Sequence, residues 1–108
     1  MTIFLKWKIW RIEAALRRLL KKADIISPHV WSFGAYYIDP KYLVFVVGVQ
    51  TDIEKEKLQL DLDFNNKIRE LLKKFNWPEE ARKHVVFDIE SQENVNREND
   101  GNWWYHYK

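Results

Sequence analysis

The chain has 108 residues, of which 46% are hydrophobic and 31% charged, and it contains no cysteine. This length suits one domain, residues 1–108, around a single core, and the lack of cysteine excludes a disulfide framework, a thiolate metal site and a cysteine nucleophile. The formal net charge of +2 is divided unevenly, because residues 1–23 hold seven basic and one acidic residue (+6) and the rest hold eleven basic and fifteen acidic residues (−4).

The first predicted element is an amphipathic helix that ends before Ser27-Pro28, since a residue preceding proline is pushed out of helical geometry. Its apolar residues recur at steps of three and four and form one stripe, comprising Leu5, Ile9, Ile12, Leu16, Leu19, Leu20 and Ala23. Trp7 and Trp10 fall outside the stripe, on the basic side. An extended start over Ile3–Ile9 is an open alternative, because apolar residues there also alternate with Lys6 and Lys8.

Two strands are predicted next, His29–Ile38 and Tyr42–Gln50, joined by the turn Asp39-Pro40-Lys41 into an antiparallel hairpin. Thr51 and Glu54 match a capping box, so a second helix is expected from there to about Phe75. Its expected apolar stripe consists of Ile53, Leu60, Phe64, Ile68, Leu71 and Phe75. A single helical turn should follow at Trp77-Pro78-Glu79-Glu80.

Alternation over Val85–Glu90 predicts a third strand. Asp100-Gly101 is a turn signal, and Asn102–Tyr107 is expected to form a fourth strand paired back on the third. The predicted fold is therefore α+β, in the order α-β-β-α-β-β, with two main helices packed on an antiparallel sheet of about four strands. The residues predicted for its core are Leu16, Leu20, Phe45, Val47, Phe64, Ile68, Leu71 and Phe87.

No pattern in the sequence matches a catalytic or metal-binding template. The three glycines, Gly34, Gly48 and Gly101, are too scattered for a phosphate-binding loop, and no two histidines have the spacing of metal ligands. We therefore expect a protein that is not an enzyme, with no catalytic residue, metal, cofactor or small-molecule substrate. No segment reaches the ~18–20 apolar residues that span a bilayer, and lysines occupy the place of a signal peptide's apolar stretch, so we expect a soluble, cytoplasmic protein without a membrane partner.

The C-terminal region combines acidic residues with large aromatic residues. Five acids face a single Arg97 between residues 88 and 100, and aromatic residues follow at once. These acids are either a solvated outer face or a docking surface for a basic partner, and a catalytic role is the least favoured reading. The candidate partner-binding residues are Asp88, Glu90, Glu93, Glu98, Asp100, Trp104 and His106.

The basic first helix offers an alternative, because lysines and arginines interleaved with Trp7 and Trp10 could bind phosphates and stack on bases or lie at a lipid interface. The acidic balance of the remaining chain argues against a dedicated nucleic-acid-binding protein.

In its αββ-αββ layout, its size, and the run Trp77-Pro78-Glu79-Glu80 … Ser91-Gln92-Glu93 … Gly101-Asn102-Trp103-Trp104, the chain resembles the small immunity proteins of bacterial contact-dependent growth inhibition and related polymorphic toxin systems. The resemblance covers mainly residues 51–108. It implies a cytoplasmic, non-enzymatic protein that binds a cognate toxin domain, often a nuclease, and blocks its active site or substrate access. A small nucleic-acid-binding protein is the alternative, and a structural subunit of a larger assembly is a third hypothesis.

Overall fold

The computed structural model describes residues 2–108, which form six α-helices, three short strands and a 3-10 turn. The elements are α1 (Thr2–Lys22), β1 (His29–Phe33), a 3-10 turn (Pro40–Tyr42), β2 (Val44–Val49), α2 (Asp52–Leu60), α3 (Leu62–Lys74), α4 (Glu79–Arg82), β3 (Val86–Ser91), α5 (Gln92–Asn99) and α6 (Trp103–His106). The predicted α+β class is confirmed. The predicted sheet is wrong in its number of strands and in the direction of one of them.

The first helix is helical from Thr2, so the alternative of an extended start over Ile3–Ile9 is wrong. Ile9, Ile12, Leu16 and Leu20 are buried, as the stripe predicts. β1 ends at Phe33 rather than at Ile38. Gly34 explains the early end, because it has a φ of 111° and a Cβ there would overlap the carbonyl oxygen of Tyr42.

The predicted second helix is two helices, separated at Asp61. The backbone of Asp61 is extended, and its carboxylate accepts a hydrogen bond from the N–H of Phe64 at 3.0 Å, which caps α3. The side-chain amide of Asn65 donates to the carbonyl of Leu58 at 2.9 Å at the end of α2. Because the break changes the helical phase, Leu60 is 74% exposed, and its predicted place on the buried stripe is wrong. Ile53 is likewise exposed.

The three strands of the described chain lie in the order β1-β2-β3. β1 pairs antiparallel with β2, as the predicted hairpin requires, with Trp31 opposite Val46. β3 pairs parallel with β2, with Val46 opposite Asp88, so the prediction of a wholly antiparallel sheet is wrong. The physical reason is the crossover through α2, α3 and α4, which returns the chain to the end of the sheet at which β2 begins, so that β3 runs in the same direction as β2.

The predicted C-terminal hairpin is also wrong, because the segment after β3 is helical. The Ser91 hydroxyl accepts from the N–H of Asn94 at 3.0 Å and caps α5. Asp100 ends α5 in the left-handed conformation, with a φ of 51°. The Asn102 side chain then accepts from the N–H of Tyr105 at 3.1 Å and caps α6. The predicted fourth strand, Asn102–Tyr107, is therefore mainly a single helical turn.

Alternate strand residues point to opposite faces of the sheet, and the two faces are covered differently. The inner face carries Phe45, Val47 and Ile89, which pack against α1, α2 and α3 in the main core. Of the eight predicted core residues all but Phe87 are buried, and Phe87 is half-buried, stacked on Phe45 with ring centroids 5.1 Å apart. The outer face is covered by the C-terminal segment.

Candidate functional site

The C-terminal segment lies on the outer face of the sheet, where Gly48 leaves space for an aromatic ring. His29 and Gly48 are paired in the register of β1 and β2. A Cβ at Gly48 would lie 3.2 Å from Cη2 of Trp103 and 3.4 Å from Cζ3 of Trp31. The Trp103 indole N–H donates to Oε1 of Gln92 at 2.8 Å, which fixes the orientation of the ring. Trp103 therefore anchors α6 to the sheet.

Trp103 and three other aromatic side chains form a cluster on this face of the sheet. The ring centroids of Trp31 and Trp103 are 5.1 Å apart in an edge-to-face arrangement, and Phe33 lies 5.7 Å from Tyr107. Such pairs contribute more than the area that they bury. The cluster bounds an open groove of about 440 Å³, which we call the aromatic groove; it is lined by Trp31, Phe33, Trp103, Trp104, Tyr107 and Lys108.

Glu90 is the centre of a hydrogen-bonded network that holds the C-terminal segment in place. It is only 6% exposed. Its Oε1 accepts from Nζ of Lys55 on α2 at 2.8 Å, and its Oε2 accepts from Nε2 of His106 on α6 at 2.7 Å. Asn94 also donates to Oε2, at 3.1 Å. Burial raises the pKa of Glu90, but these hydrogen bonds outweigh burial and hold the pKa below its ordinary value.

Asp88 makes a second link between β3 and the C-terminal segment. Its Oδ2 accepts a hydrogen bond from the Tyr107 hydroxyl at 2.7 Å. Burial, and then the bond to the Asp88 carboxylate, raise the pKa of the Tyr107 phenol far above its ordinary value. Tyr107 is therefore a firmly protonated donor that ties the end of the chain to the sheet.

The seven predicted partner-binding residues fall into two groups. Asp88, Glu90 and His106 are hydrogen-bonded inside the molecule; Glu90 is buried, and Asp88 and His106 are half-buried. The second group is exposed and consists of Glu93, Glu98, Asp100 and Trp104.

Glu98, Asp100 and Trp104 lie close to the end of the chain in sequence, whereas Glu93 accepts a hydrogen bond from the N–H of Asp52 on α2 at 2.7 Å. Trp104 is 67% exposed, and its neighbour Tyr105 is 56% exposed. Glu98 Oε2 lies 3.5 Å from Nδ1 of His106, so this acidic side chain reaches the same helical turn that presents Trp104 and Tyr105. The exposed surface thus combines carboxylates of α5 with large aromatic rings of α6.

Sequence reasoning missed Trp31 and Phe33, which β1 contributes to this site. A signal was present, because His29, Trp31 and Phe33 alternate with Val30 and Ser32. That period of two puts all three on one face of a strand. A strand face that bears only large rings needs a second layer packed on it. The C-terminal aromatic residues form that layer on the outer face of the sheet.

Within residues 2–108, no three histidine, aspartate or glutamate side chains come together in a way that could hold a metal ion. Over the same range, every buried side-chain nitrogen and oxygen atom has a hydrogen-bond partner. The titratable side chains of the network are thus committed to one another.

Two further observations bear on the class of protein. Comparisons with protein-family models, with curated proteins and with solved structures gave no significant match to this chain. In the part of the chain that the structure describes, no helix has both the length and the apolar character that crossing a bilayer requires.

Proposed function

We propose that this chain is a cytoplasmic immunity protein, which neutralises a cognate toxin domain by binding it through the C-terminal face. The contact surface consists of the aromatic groove, the exposed rings of Trp104 and Tyr105, and the carboxylates of α5. The observation that carries the proposal is that the rings of Trp104 and Tyr105 are exposed on a helical turn that is held to the sheet by part-buried hydrogen bonds.

Rigid presentation matters because ordering side chains on binding costs free energy. Trp103 is fixed by Gln92, and His106 is fixed by Glu90. Trp104 and Tyr105 lie between these two fixed residues, so their backbone is ordered before a partner arrives. Tryptophan and tyrosine are also the residue types that most often dominate the free energy of protein association.

The charge of the surface supports a basic partner. Glu93, Glu98 and Asp100 are exposed on or beside α5, whereas the guanidinium of Arg97 is held by Asp52 at 2.6 Å. A nuclease needs a positive groove for the phosphates of its substrate. An acidic surface that enters such a groove blocks the substrate and also accelerates association by electrostatic attraction. We therefore propose a nuclease domain as the target.

The proposal gives Asp88, Glu90 and His106 a positioning role. They do not contact the partner; they hold the turn that does. This assignment explains how acidic residues in the C-terminal region can be required for binding even where burial keeps them from the interface.

The test takes the product of the directly upstream gene as the candidate toxin and measures growth rescue and inhibition of its purified domain. Trp104→Ala should weaken inhibition about 30-fold, the loss typical of an interface hot spot. Tyr37→Ala is the matched control, because Tyr37 is a 64% exposed aromatic residue outside the proposed surface. Equal inhibition by wild type and Trp104→Ala would place the contact elsewhere, and no inhibition by the wild type would reject the function.

A further inference from the structure

α1 presents a second exposed surface, which has no part in the proposed toxin contact. Phe4, Trp7 and Trp10 are 67%, 57% and 58% exposed, whereas the apolar stripe on the opposite side of the helix is buried or half-buried. The rings of Trp7 and Trp10 lie with centroids 5.3 Å apart. Three large aromatic side chains left exposed within two turns are unusual for a helix whose other side already packs in the core.

The same surface is densely positive. Lys6, Arg11, Arg18 and Lys74 are exposed around the rings. Glu13, the one acidic residue in α1, hydrogen-bonds to Ser32 on β1, so it does not neutralise this face. The acidic balance of residues 24–108 does not weaken this charge, because it includes carboxylates such as Glu90 that are paired within the fold.

Rings and cations share one concave site on this surface. A cavity of about 230 Å³ is lined by Trp7, Trp10, Arg11, Ala14, Arg18 and Phe75. The guanidinium of Arg11 lies 5.3 Å from the ring centroid of Phe75, and the ammonium of Lys74 lies 5.5 Å from it. We define Lys6, Lys74 and the residues that line this cavity as the α1 basic-aromatic surface.

We infer that the α1 basic-aromatic surface binds single-stranded nucleic acid, with bases stacked on the two tryptophans and phosphates paired with the surrounding cations. Sequence-independent binding of single strands uses this combination of aromatic faces and positive charge. Charge complementarity selects a polyanion, and the exposed rings select one with unpaired planar bases.

An anionic membrane fits the surface less well. A helix that lies in a lipid interface inserts a continuous apolar face, but the apolar stripe of α1, from Ile9 to Leu20, is buried in the protein core. Insertion of Trp7 and Trp10 would also bury Arg11 and Arg18, since all four line the same cavity.

The experiment is a fluorescence-anisotropy titration of the full chain against a labelled 20-nucleotide oligo-dT strand and against a duplex of equal length. The single strand should bind at least about fivefold more tightly than the duplex, because only unpaired bases can stack. With four cations in contact, log Kobs should fall with log[salt] at a slope of about −3. Trp7→Ala with Trp10→Ala should weaken single-strand binding about tenfold or more.

A charge-matched pair of variants provides the control. Arg11→Glu with Arg18→Glu should abolish binding, whereas Lys57→Glu with Lys83→Glu, which changes the net charge equally at exposed residues outside this surface, should retain most of it. Thermal unfolding of each variant verifies the fold. Equal losses in both pairs, or equal binding of duplex and single strand, would overturn the inference. Binding to phosphatidylserine-containing vesicles without binding to the strand would overturn it in favour of a lipid surface.

Discussion

Nε2 of His106 donates to Oε2 of Glu90 across 2.7 Å, and this bond joins the last helical turn to the third strand. The opposite oxygen of Glu90 accepts from Lys55, so one carboxylate links three elements. A carboxylate that is buried in this way orders its neighbours only while all of its hydrogen bonds are made.

Replacing Glu90 by Gln should loosen the C-terminal segment. The amide retains the shape but leaves Lys55 with a weaker partner, and it presents an NH₂ group to one of the donors. We expect the free energy of unfolding to fall by about 1–3 kcal/mol, with a decrease in the near-ultraviolet circular dichroism of the tryptophans. Glu56→Gln is the control, because Glu56 is exposed on the same helix as Lys55. Equal stability of the two variants would show that Glu90 does not anchor the segment.

The lowered pKa of Glu90 predicts a specific dependence of stability on pH. Because the pKa in the folded state lies below the ordinary value of 4.5, the folded state binds fewer protons than the unfolded state over this range. The stabilisation is complete above pH 4.5 and is lost as the pH falls through the folded-state pKa. Urea unfolding between pH 3 and pH 6 should show wild-type stability falling with acid more steeply than that of Glu90→Gln.

Glu13 requires a separate measurement in that pH range. Burial raises its pKa, and hydrogen bonding to Ser32 and the charge of Arg17 only partly oppose this effect. The effect of Glu13 on stability is therefore opposite to that of Glu90, because the folded state favours the neutral form of Glu13. The stability that Glu13 contributes is lost as the pH rises through its folded-state pKa. Glu13→Gln should make the acid-induced loss of stability steeper, and an unchanged slope would contradict the burial of this carboxyl group.

Tyr107 should make the protein sensitive to alkali. Its raised pKa means that folding holds the phenol neutral, so its contribution to stability is complete below the ordinary value of 10.0 and declines as the pH rises beyond it. Urea unfolding at pH 8 and at pH 11 should show a larger loss for wild type than for Tyr107→Phe. If the two proteins lose stability equally, the bond from Tyr107 to Asp88 does not hold the phenol neutral.

Gly48 should tolerate a larger side chain only if Trp103 is removed. Valine at this position places atoms beyond a Cβ that already lies 3.2 Å from Trp103, and overpacking of this kind typically costs about 1–3 kcal/mol. In a double-mutant cycle, Gly48→Val should be less destabilising in a Trp103→Ala background than in the wild type. Additive effects of the two substitutions on unfolding would contradict the packing of Trp103 over Gly48.

The break at Asp61 gives a contrast between two neighbouring apolar residues. Phe64→Ala should destabilise the protein by about 3–5 kcal/mol, because Phe64 is buried in the core. Leu60→Ala should change stability by less than about 0.5 kcal/mol, because Leu60 is exposed. Chemical denaturation measures both, and a large loss in Leu60→Ala would favour one continuous helix.

Periodicity predicted the parts of the fold that bury a continuous stripe. The first helix and the core of the third are correct, because Ile12, Leu16 and Ile68 repeat at helical spacing and are buried. The direction of β3 was misjudged, although a long helical crossover between two paired strands favours a parallel arrangement. The prediction of a fourth strand rested on the aromatic residues of Asn102–Tyr107, since aromatic residues favour strands. In the structure the Asn102 side chain caps a helical turn there, and this local hydrogen bond outweighs the strand preference.

The candidate site was predicted in part. Composition drew attention to the C-terminal residues, and Trp104 and Glu98 are exposed there. The burial of Glu90 could not be predicted from spacing, because Lys55 lies 35 residues away and reaches the carboxylate only through the fold. Long-range partners of this kind determine which acidic residues are available to a partner.

Hydrogen exchange of the complex with the purified toxin domain tests the central claim most directly, because it locates the contact without a mutation. The account predicts protection of peptides that cover residues 92–107 and residues 29–33, with little change in residues 2–22. The protection should be reduced when Trp104→Ala is mixed with the toxin at the same concentrations. Protection confined to residues 2–22, with the C-terminal peptides unchanged, would contradict the assignment of the C-terminal face.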